Sequence, residues 1–453
     1  KAITDILNRM SAGAAVSTIT TSGGSADYLI RAKFLPLSWQ GFLEAFTQPY
    51  YDGKIPLWEA GQVLADRIDL NTAADREIFT YMAFEFNKKQ DFDSTNSTLV
   101  DWLNIEWSEF DDGEVQDIID FLRGDDSNDG GKYRDRNEWF LGDIIYSAPS
   151  VVGVPRSFFL ENDYQTIKSN NLNRSTMIYV GANDGMLHAF NSSDGSEAWG
   201  FIPENIRPYL KNLTLEACHK YYVDLTPTAS DVYDVAWKTG GDDWTGWKTV
   251  LLGGNRLGGY EYFALDITDP AADSVAVLWD RILFPGRRSS TIPFVGKIKA
   301  LEGESGEVDK WLAIITSGYD ESDTRTGMIG AVNFTDGTKE TIWQEDKTAF
   351  DQLATQARNG SNAYYTLSSP IGVDSDNDGY LDLIYAGDTE GGLWKFYYDY
   401  NDTLYKRVKL FDTGGQAITG RPTLVFDDQE NLRIFFGTGK YLVGQDKDDT
   451  TQN

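Results

Sequence analysis

From about residue 140 onward, short apolar runs alternate with turns that are rich in glycine, aspartate and asparagine. Each recurring unit contains an apolar strand, a glycine turn, a strand that ends in a small residue, an aspartate turn and a tryptophan-bearing strand. The units begin about 50–75 residues apart, a period typical of four-stranded propeller blades. Because one blade cannot bury both of its faces, several blades must stack around an axis. We count five such units: 147–201, 248–281, 311–344, 381–412 and 433–442.

Two of these units match each other most closely, at 189–199 (AFNSSDGSEAW) and 331–343 (AVNFTDGTKETIW). In both, an alanine precedes an Asp-Gly turn and a tryptophan follows the turn. This spacing places a large aromatic side chain where it can cover the neighbouring blade. We therefore predict that Trp199 and Trp343 pack in the core and do not stack on a ligand.

The first 135 residues show a different pattern. Apolar residues recur at three- and four-residue spacing at 57–68 and 75–86, which predicts two helices. A third helix is predicted at 112–124, because this segment begins with acidic residues and stops at a glycine. Residues 27–39 have the composition of a strand.

A loop rich in glycine and aspartate, at 123–136, separates the two patterns. Clusters of such residues between periodic segments are typical of connecting loops. We therefore predict a mixed helical and strand segment at 1–135, packed on the propeller, and a β-propeller at 136–453. The predicted fold class is mainly β.

Composition narrows the range of partners. The chain has 453 residues with 40 basic and 70 acidic side chains, which give a net charge of −30. This charge argues against nucleic acid and anionic membranes as partners, because both require a basic patch.

The sequence contains no apolar run of about 18 residues, so no membrane span is predicted. The chain begins at Lys1, so we expect a removed leader or a longer parent protein. The composition, with Cys218 as the single cysteine, fits an exported bacterial protein.

The segment GVDSDNDGYLDLIYAG (372–387) places four aspartates within nine positions, ahead of an apolar strand. Like charges this close repel one another, and a hard divalent cation removes the repulsion. Calcium takes six to eight oxygen ligands and tolerates irregular geometry, whereas zinc prefers His or Cys. The pattern D-x-D-x-D-G-x-x-D therefore predicts a strand-flanked calcium loop, in which the glycine permits the sharp turn. The predicted ligands are Asp374, Asp376, Asp378, the Tyr380 carbonyl and Asp382.

The alternative for this loop is a solvated acidic turn, and we favour calcium because all four carboxylate positions and the glycine match. A second acidic stretch, 125–131, matches only in part, since Tyr133 stands at its ninth position. An acidic loop without an ion is favoured there.

The tripeptide Arg123-Gly124-Asp125 matches a sequence that some integrins bind. A helix end followed by a turn is the favoured interpretation.

Catalytic motifs are sparse. The two histidines are His188, in a predicted blade strand where a structural role is favoured, and His219. Neither stands near a G-x-S-x-G or comparable nucleophile motif. Acidic residues are too numerous for a glycosidase pair to be assigned. We therefore predict that the chain is not an enzyme.

Four segments resemble the C-terminal region of the PilC/PilY-type type IV pilus tip proteins. The first contains Arg134-Asp135-Arg136, Leu141-Gly142-Asp143 and Ser147-Ala148-Pro149. The second is similar to the most recognisable blade of that family, the third to its calcium-loop blade and the fourth to its closing strands. The resemblance covers nearly the whole chain. The four segments are 123–153, 178–203, 372–396 and 420–442.

The resemblance implies a modified propeller of about seven blades, exported to the cell surface at the pilus tip or associated with the outer membrane or periplasm. It implies a role in pilus biogenesis, surface adhesion and twitching motility. The implied partners are minor pilins or the tip complex, and a host or abiotic surface. Calcium in the loop at 374–382 would be tied to the balance between pilus extension and retraction.

Two other functions stay open. The segment 189–199 also resembles the tryptophan-docking repeat of quinoprotein dehydrogenases, which are propellers that use calcium at their quinone cofactor. Against this alternative, the repeat is intact in only one or two units, and a single cysteine cannot form a disulfide between adjacent cysteines. A lectin-like propeller is the third alternative.

Overall fold

The structure is a computed structural model that describes most of the chain. Side chains of β1 and of a few strand and helix ends are not described. The described residues are 12–19, 28–36, 38–51, 53–69, 75–86, 88–155, 157, 159, 162–215, 219–238, 246–298, 310–318, 327–344, 366–399 and 404–440.

The first sheet contains four consecutive strands, in the order β1-β2-β3-β4. The pairs β1–β2, β2–β3 and β3–β4 are all antiparallel. The strand predicted at 27–39 is confirmed over Tyr28–Leu35 as β2, whereas Ser38 and Trp39 lie in the turn before β3. The strands are β1 (Ala12–Ile19), β2 (Tyr28–Leu35), β3 (Gln40–Thr47) and β4 (Trp58–Glu59).

The second sheet has six strands, in the order β6-β5-β10-β9-β8-β7. Strand β5 pairs in parallel with β10, so two strands from the N-terminal segment extend the first predicted blade. The helix predicted at 75–86 is wrong. All four residues of β5 are buried, and an apolar run buried on both faces has no spacing that separates strand from helix. The strands are β5 (Ile78–Tyr81), β6 (Lys89–Asp91), β7 (Ser150–Val152), β8 (Met177–Gly181), β9 (Leu187–Asn191) and β10 (Glu197–Ile202).

Three further sheets each contain four strands in chain order, as expected for propeller blades. They are β11 (Thr228–Tyr233), β12 (Trp247–Gly254), β13 (Glu261–Asp266) and β14 (Ala276–Ile282); β15 (Phe294–Ile298), β16 (Lys310–Thr316), β17 (Met328–Asn333) and β18 (Lys339–Gln344); β19 (Ile371–Val373), β20 (Leu383–Gly387), β21 (Gly392–Asp399) and β22 (Leu404–Asp412). A two-stranded sheet of β23 (Thr423–Phe426) and β24 (Leu432–Phe435) follows. The five predicted units therefore correspond to these three sheets, the six-stranded sheet and the final pair.

The described residues include five α-helices, of which α3 has the clearest signals at its ends. The Asp111 carboxylate accepts from the Glu114 backbone N–H, and the Glu114 side chain accepts from the Asp111 N–H. Gly124 ends the helix at φ 118°, a left-handed conformation that glycine adopts without steric cost. The prediction at 112–124 is thus confirmed. The helix predicted at 57–68 begins later, after β4. The helices are α1 (Ala60–Asp69), α2 (Ser97–Glu106), α3 (Asp112–Arg123), α4 (Asn162–Asn170) and α5 (Arg207–Leu210).

Trp199 lies in the largest hydrophobic core cluster and is fully buried. Its indole N–H donates to the Pro270 carbonyl at 2.9 Å. A buried tryptophan with a satisfied N–H is a packing residue, so the predicted core role of Trp199 is confirmed. The side chain of Trp343 lies outside the described residues, as does Cys218.

The chain forms two compact units. The first contains Lys1–Asp231 and Trp247–Arg281, and the second contains Val232–Gly246 and Ile282–Asn453. The boundary predicted at residue 135 lies inside the first unit, because β5 and β6 share a sheet with later strands.

Candidate metal site

The predicted calcium loop connects two antiparallel strands in the second compact unit. Strands β19 and β20 pair up to Val373 and Leu383, and residues 374–382 form the loop between them. The Asp382 N–H donates to the Val373 carbonyl at 3.1 Å. The two ends of the loop, Asp374 and Asp382, therefore lie side by side. The segment after the loop is a strand, as predicted.

Three of the four aspartates converge. Carboxylate oxygens of Asp374, Asp376 and Asp382 all lie within 4.8 Å of one another. Calcium binds oxygen at about 2.3–2.6 Å, so ligands on opposite sides of one ion are about 4.6–5.2 Å apart. These carboxylates are thus close enough to share a calcium ion. Among the residues that the structure describes, no other group of His, Cys, Asp and Glu side chains meets this criterion.

Hydrogen bonds within the loop hold these carboxylates in place. The Gly379 N–H donates to Asp374 Oδ2 at 2.7 Å, and Gly379 has φ 91°. Ser375 donates twice to Asp382 Oδ2, from its backbone N–H at 2.7 Å and from its hydroxyl at 2.6 Å. An ionised carboxylate has about four lone-pair sites. Each of these carboxylates therefore keeps acceptor capacity for an ion.

The fourth aspartate has a different environment. Asp378 Oδ1 accepts from the Tyr380 N–H at 2.9 Å. Its carboxylate is not part of the converging group. The roles of Asp378 and of the Tyr380 carbonyl as calcium ligands therefore stay predictions.

The loop is strongly acidic. A local loss of hydration and the negative charges of the other three aspartates raise the pKa of Asp376. Within the described part of the chain, none of the four aspartates forms an ion pair with a basic side chain. The arrangement therefore supplies oxygen ligands and uncompensated negative charge, which is the donor set that a hard divalent cation requires.

Comparison with known proteins gives the family. A family model described as the PilY1 beta-propeller domain matches residues 141–409, more than half of the chain. This chain belongs to the PilY1 β-propeller family. The matched region of this PilY1-family chain includes the loop at 374–382. It begins at Leu141, in one of the motifs that carried the resemblance.

Two curated relatives are similar over almost the whole chain. One is "Type IV pilus biogenesis factor PilY1" of Pseudomonas aeruginosa (strain UCBPP-PA14), 28% identical over 97% of this chain and 40% of the relative. The other is a "Type IV pilus biogenesis factor PilY1 homolog" of Xylella fastidiosa (strain Temecula1 / ATCC 700964), 28% identical over 92% of this chain and 31% of the relative. The chain therefore spans 40% or less of the length of these relatives.

Among solved structures, the crystal structure of the Pseudomonas aeruginosa PilY1 C-terminal domain is similar to this PilY1-family chain. The match has a TM-score of 0.48 and 26% sequence identity, and it covers 65% of this chain and 60% of that chain. In the part of the chain that the structure describes, no helix is both long and apolar enough to span a bilayer.

The second acidic stretch, 125–131, forms an ion pair with Arg136. Arg136 binds the Asp129 carboxylate through Nε at 2.8 Å and Nη2 at 2.9 Å. The Ser127 N–H donates to Asp125 Oδ1 at 2.8 Å. A two-point contact with arginine already neutralises Asp129, and among the described residues the acidic side chains of this stretch do not form a converging group. The absence of an ion in this stretch, favoured from the sequence, stays a prediction.

The tripeptide Arg123-Gly124-Asp125 forms the end of α3 and the turn after it. The Arg123 side chain is buried and donates to the backbone carbonyls of Phe92 and Arg76. Gly124 provides the left-handed cap of the helix. A receptor that binds this tripeptide needs the guanidinium at the surface, so this conformation does not present it.

His188 belongs to a buried ion network in the first blade. Its Nδ1 lies 2.8 Å from Glu197 Oε1, and its Nε2 lies 3.1 Å from the Asp184 carboxylate. Arg76 binds Glu197 through two contacts of 2.7 Å. The predicted structural role of His188 is confirmed. Arg76 and Glu197 were not predicted from the sequence, although a glutamate two positions before a core tryptophan is a signal of an inward-facing charge.

We expect the stability of this PilY1-family chain to fall as pH rises from about 6.5 to 9. Burial alone would lower the pKa of His188, but the Asp184 and Glu197 carboxylates outweigh it and raise the pKa to about 9. The unfolded value is 6.5. A raised native pKa gives stabilisation that is complete below pH 6.5 and is lost as pH passes through 9.

The measurement is urea denaturation between pH 6 and pH 9.5, on the wild type and on His188→Gln. The difference in unfolding free energy between the two proteins should shrink over this interval. A difference that stays constant with pH would show that His188 carries no excess proton in the native state.

Proposed function

We propose that this chain is a calcium-binding, non-enzymatic module of a type IV pilus biogenesis protein. Two findings support the proposal: membership of the PilY1 family, and relatives that are named type IV pilus biogenesis factors. The observation that carries the calcium part is the convergence of Asp374, Asp376 and Asp382 within 4.8 Å. The family membership favours this role over the quinoprotein and lectin alternatives.

In this proposal the module is exported and acts on the cell surface at the pilus tip. It contacts minor pilins or the tip complex, supports adhesion to host or abiotic surfaces, and contributes to twitching motility. This chain spans 40% or less of the length of the two curated relatives. The functions proposed here are therefore those of a whole PilY1-family protein.

The loop would convert calcium binding into a change of shape. A bound calcium ion would neutralise the carboxylates of Asp374, Asp376 and Asp382, with Asp378 and the Tyr380 carbonyl as further oxygen donors. Without neutralisation, mutual repulsion of the carboxylates favours a wider loop between β19 and β20. A coupling free energy of about 1–3 kcal/mol between the loop and a pilin contact is enough to shift the balance of pilus extension and retraction.

The proposal is tested by the chromosomal substitution Asp382→Asn in a bacterium that carries this gene. Surface pili and twitching distance are measured, with Asp428→Asn as the matched control. Asp428 is exposed, in the turn between β23 and β24, and lies outside the calcium loop. We expect altered piliation and reduced twitching only for Asp382→Asn. Wild-type piliation and twitching, in a strain whose variant protein has lost calcium binding, would contradict the functional role.

A further inference from the structure

A cavity of about 90 Å³ lies within the first compact unit, remote in sequence from the calcium loop. It is lined by the turn between β2 and β3, by the segment before β7, by the turn between β8 and β9, and by residues that follow α5 and precede β11. A single water requires roughly 10–15 Å³ of such space. The cavity therefore has room for a molecule of several non-hydrogen atoms.

The two acidic groups of the cavity wall are already paired. Asp143 is buried, and its carboxylate lies 2.9 Å from His219 Nε2 and accepts from the Asn183 amide at 2.7 Å. The Asp184 carboxylate is bound by His188 at 3.1 Å. These contacts supply both carboxylates with donors from the protein itself. A ligand is therefore not needed to satisfy them.

The basic groups of the wall are not all paired. Arg136 is bound by Asp129, but the Arg134 guanidinium makes only one side-chain hydrogen bond, from Nε to the Leu213 carbonyl at 2.6 Å. Within the described part of the chain, the two Nη groups of Arg134 have no acceptor. Lys220, at the exposed rim, likewise has none. The wall thus carries unpaired positive charge, although the whole chain has a net charge of −30.

The surroundings of Arg134 disfavour its positive charge. Burial and the neighbouring charge of Arg136 lower the pKa of Arg134. An anion at the Nη groups would stabilise the charged form, and a carboxylate matches the planar guanidinium with two parallel hydrogen bonds.

The turn that closes the cavity is strained. Trp39 has φ 53°, which is an outlier for a bulky residue. Its ring stacks on that of His219, with centroids 3.7 Å apart, and on that of Phe34, with centroids 6.2 Å apart. Strained backbone persists where surrounding contacts enforce it, often at ligand sites. The stack holds His219 against Asp143 and so fixes one wall of the cavity.

We propose that this cavity binds a small organic carboxylate, with its carboxyl group on the Arg134 Nη groups, Lys220 at the rim, and its aliphatic part against Leu213 and Leu215. A dianion such as phosphate suits the cavity less well, because the carboxylates of Asp143 and Asp184 line the same space. All residues of the site belong to the first compact unit, whereas the loop at 374–382 belongs to the second.

Saturation-transfer NMR on the whole chain tests the proposal with propionate and with its neutral isostere propionamide. We expect propionate to bind with a millimolar dissociation constant and propionamide to give no signal. Equal binding of the two, or no propionate signal at tens of millimolar, would overturn the proposal.

Two variants locate the site. Arg134→Gln removes the charge and is expected to weaken propionate binding at least about tenfold. Lys220→Glu reverses an exposed charge at the rim and should weaken binding similarly without affecting the fold. If circular dichroism shows that Arg134→Gln does not fold, the affinity of Lys220→Glu for propionate tests the location of the site. Wild-type affinity in a folded Arg134→Gln protein, or in Lys220→Glu, would contradict the assignment.

The carboxylate can come from a free acid or from the end of a polypeptide. A tripeptide with a free carboxyl terminus is therefore compared with the same tripeptide amidated. Binding of propionate alone indicates a free acid as the ligand, and binding of the free tripeptide indicates a polypeptide terminus. Binding of the amidated tripeptide would show that the carboxylate is not what the cavity recognises.

Discussion

Replacing Asp382 with asparagine is expected to weaken calcium binding by about 10- to 100-fold, or about 1.4–2.7 kcal/mol. The substitution keeps the size of the side chain and an oxygen that accepts from Ser375, but it removes one of three converging negative charges. Calcium affinity in such loops depends on the number of charged ligands. Isothermal titration calorimetry on calcium-depleted protein measures the effect.

The matched control for this experiment is Asp428→Asn. It removes one negative charge from another hairpin of the second compact unit and should leave the dissociation constant for calcium unchanged. Equal affinities of the wild type and Asp382→Asn would show that the negative charge of Asp382 does not contribute to calcium binding. Equal losses in both variants would mean that only the overall charge of the protein matters.

The calcium affinity of Asp378→Asn, measured in the same way, shows whether the fourth aspartate is also a calcium ligand. In the structure its carboxylate accepts from the Tyr380 N–H and lies outside the converging group. A loss of affinity similar to that of Asp382→Asn would mean that Asp378 turns toward the ion when calcium binds. A loss below about twofold would leave calcium with Asp374, Asp376 and Asp382 as its only carboxylate ligands.

Replacing Glu197 with glutamine is expected to destabilise the chain by about 3–5 kcal/mol, the cost of breaking a buried ion pair by removing one partner. Glu197 is buried and binds both Arg76 and His188. Burial alone would raise the pKa of Glu197, but Arg76 and His188 hold it well below its usual range. The amide preserves the shape but leaves the buried Arg76 cation without its counter-charge.

The free energy of unfolding of Glu197→Gln is measured by urea denaturation at pH 6, where His188 is protonated. Asp101→Asn, an equal change of charge at an exposed position of α2, is the control and should shift the stability by less than about 0.5 kcal/mol. A cost below about 1 kcal/mol for Glu197→Gln would show that the buried network adds little to stability.

The turn at 374–382 and the convergence of its carboxylates could be predicted because their signals are local. Nine consecutive residues specify the turn, its glycine and the carboxylates, and antiparallel strands next to the loop bring Asp374 and Asp382 together. The cap of α3 was predictable for the same reason, since Asp111, Glu114 and Gly124 act within one helix. The orientation of Asp378 is different, because it depends on a hydrogen bond that the spacing of acids does not determine.

Features that depend on distant parts of the chain could not be predicted. Strand β5 is a strand because it pairs with β10, whose residues lie more than 100 positions later. The Arg76–Glu197 ion pair joins residues 121 positions apart. The tripeptide at 123–125 looks available in the sequence, yet tertiary contacts bury the side chain of Arg123.

A crystal structure of the chain grown with calcium, with anomalous diffraction data, tests the central claim most directly. We predict one anomalous peak inside the loop at 374–382, about 2.3–2.6 Å from carboxylate oxygens of Asp374, Asp376 and Asp382. A well-ordered loop that contains only water in the presence of excess calcium would contradict the account.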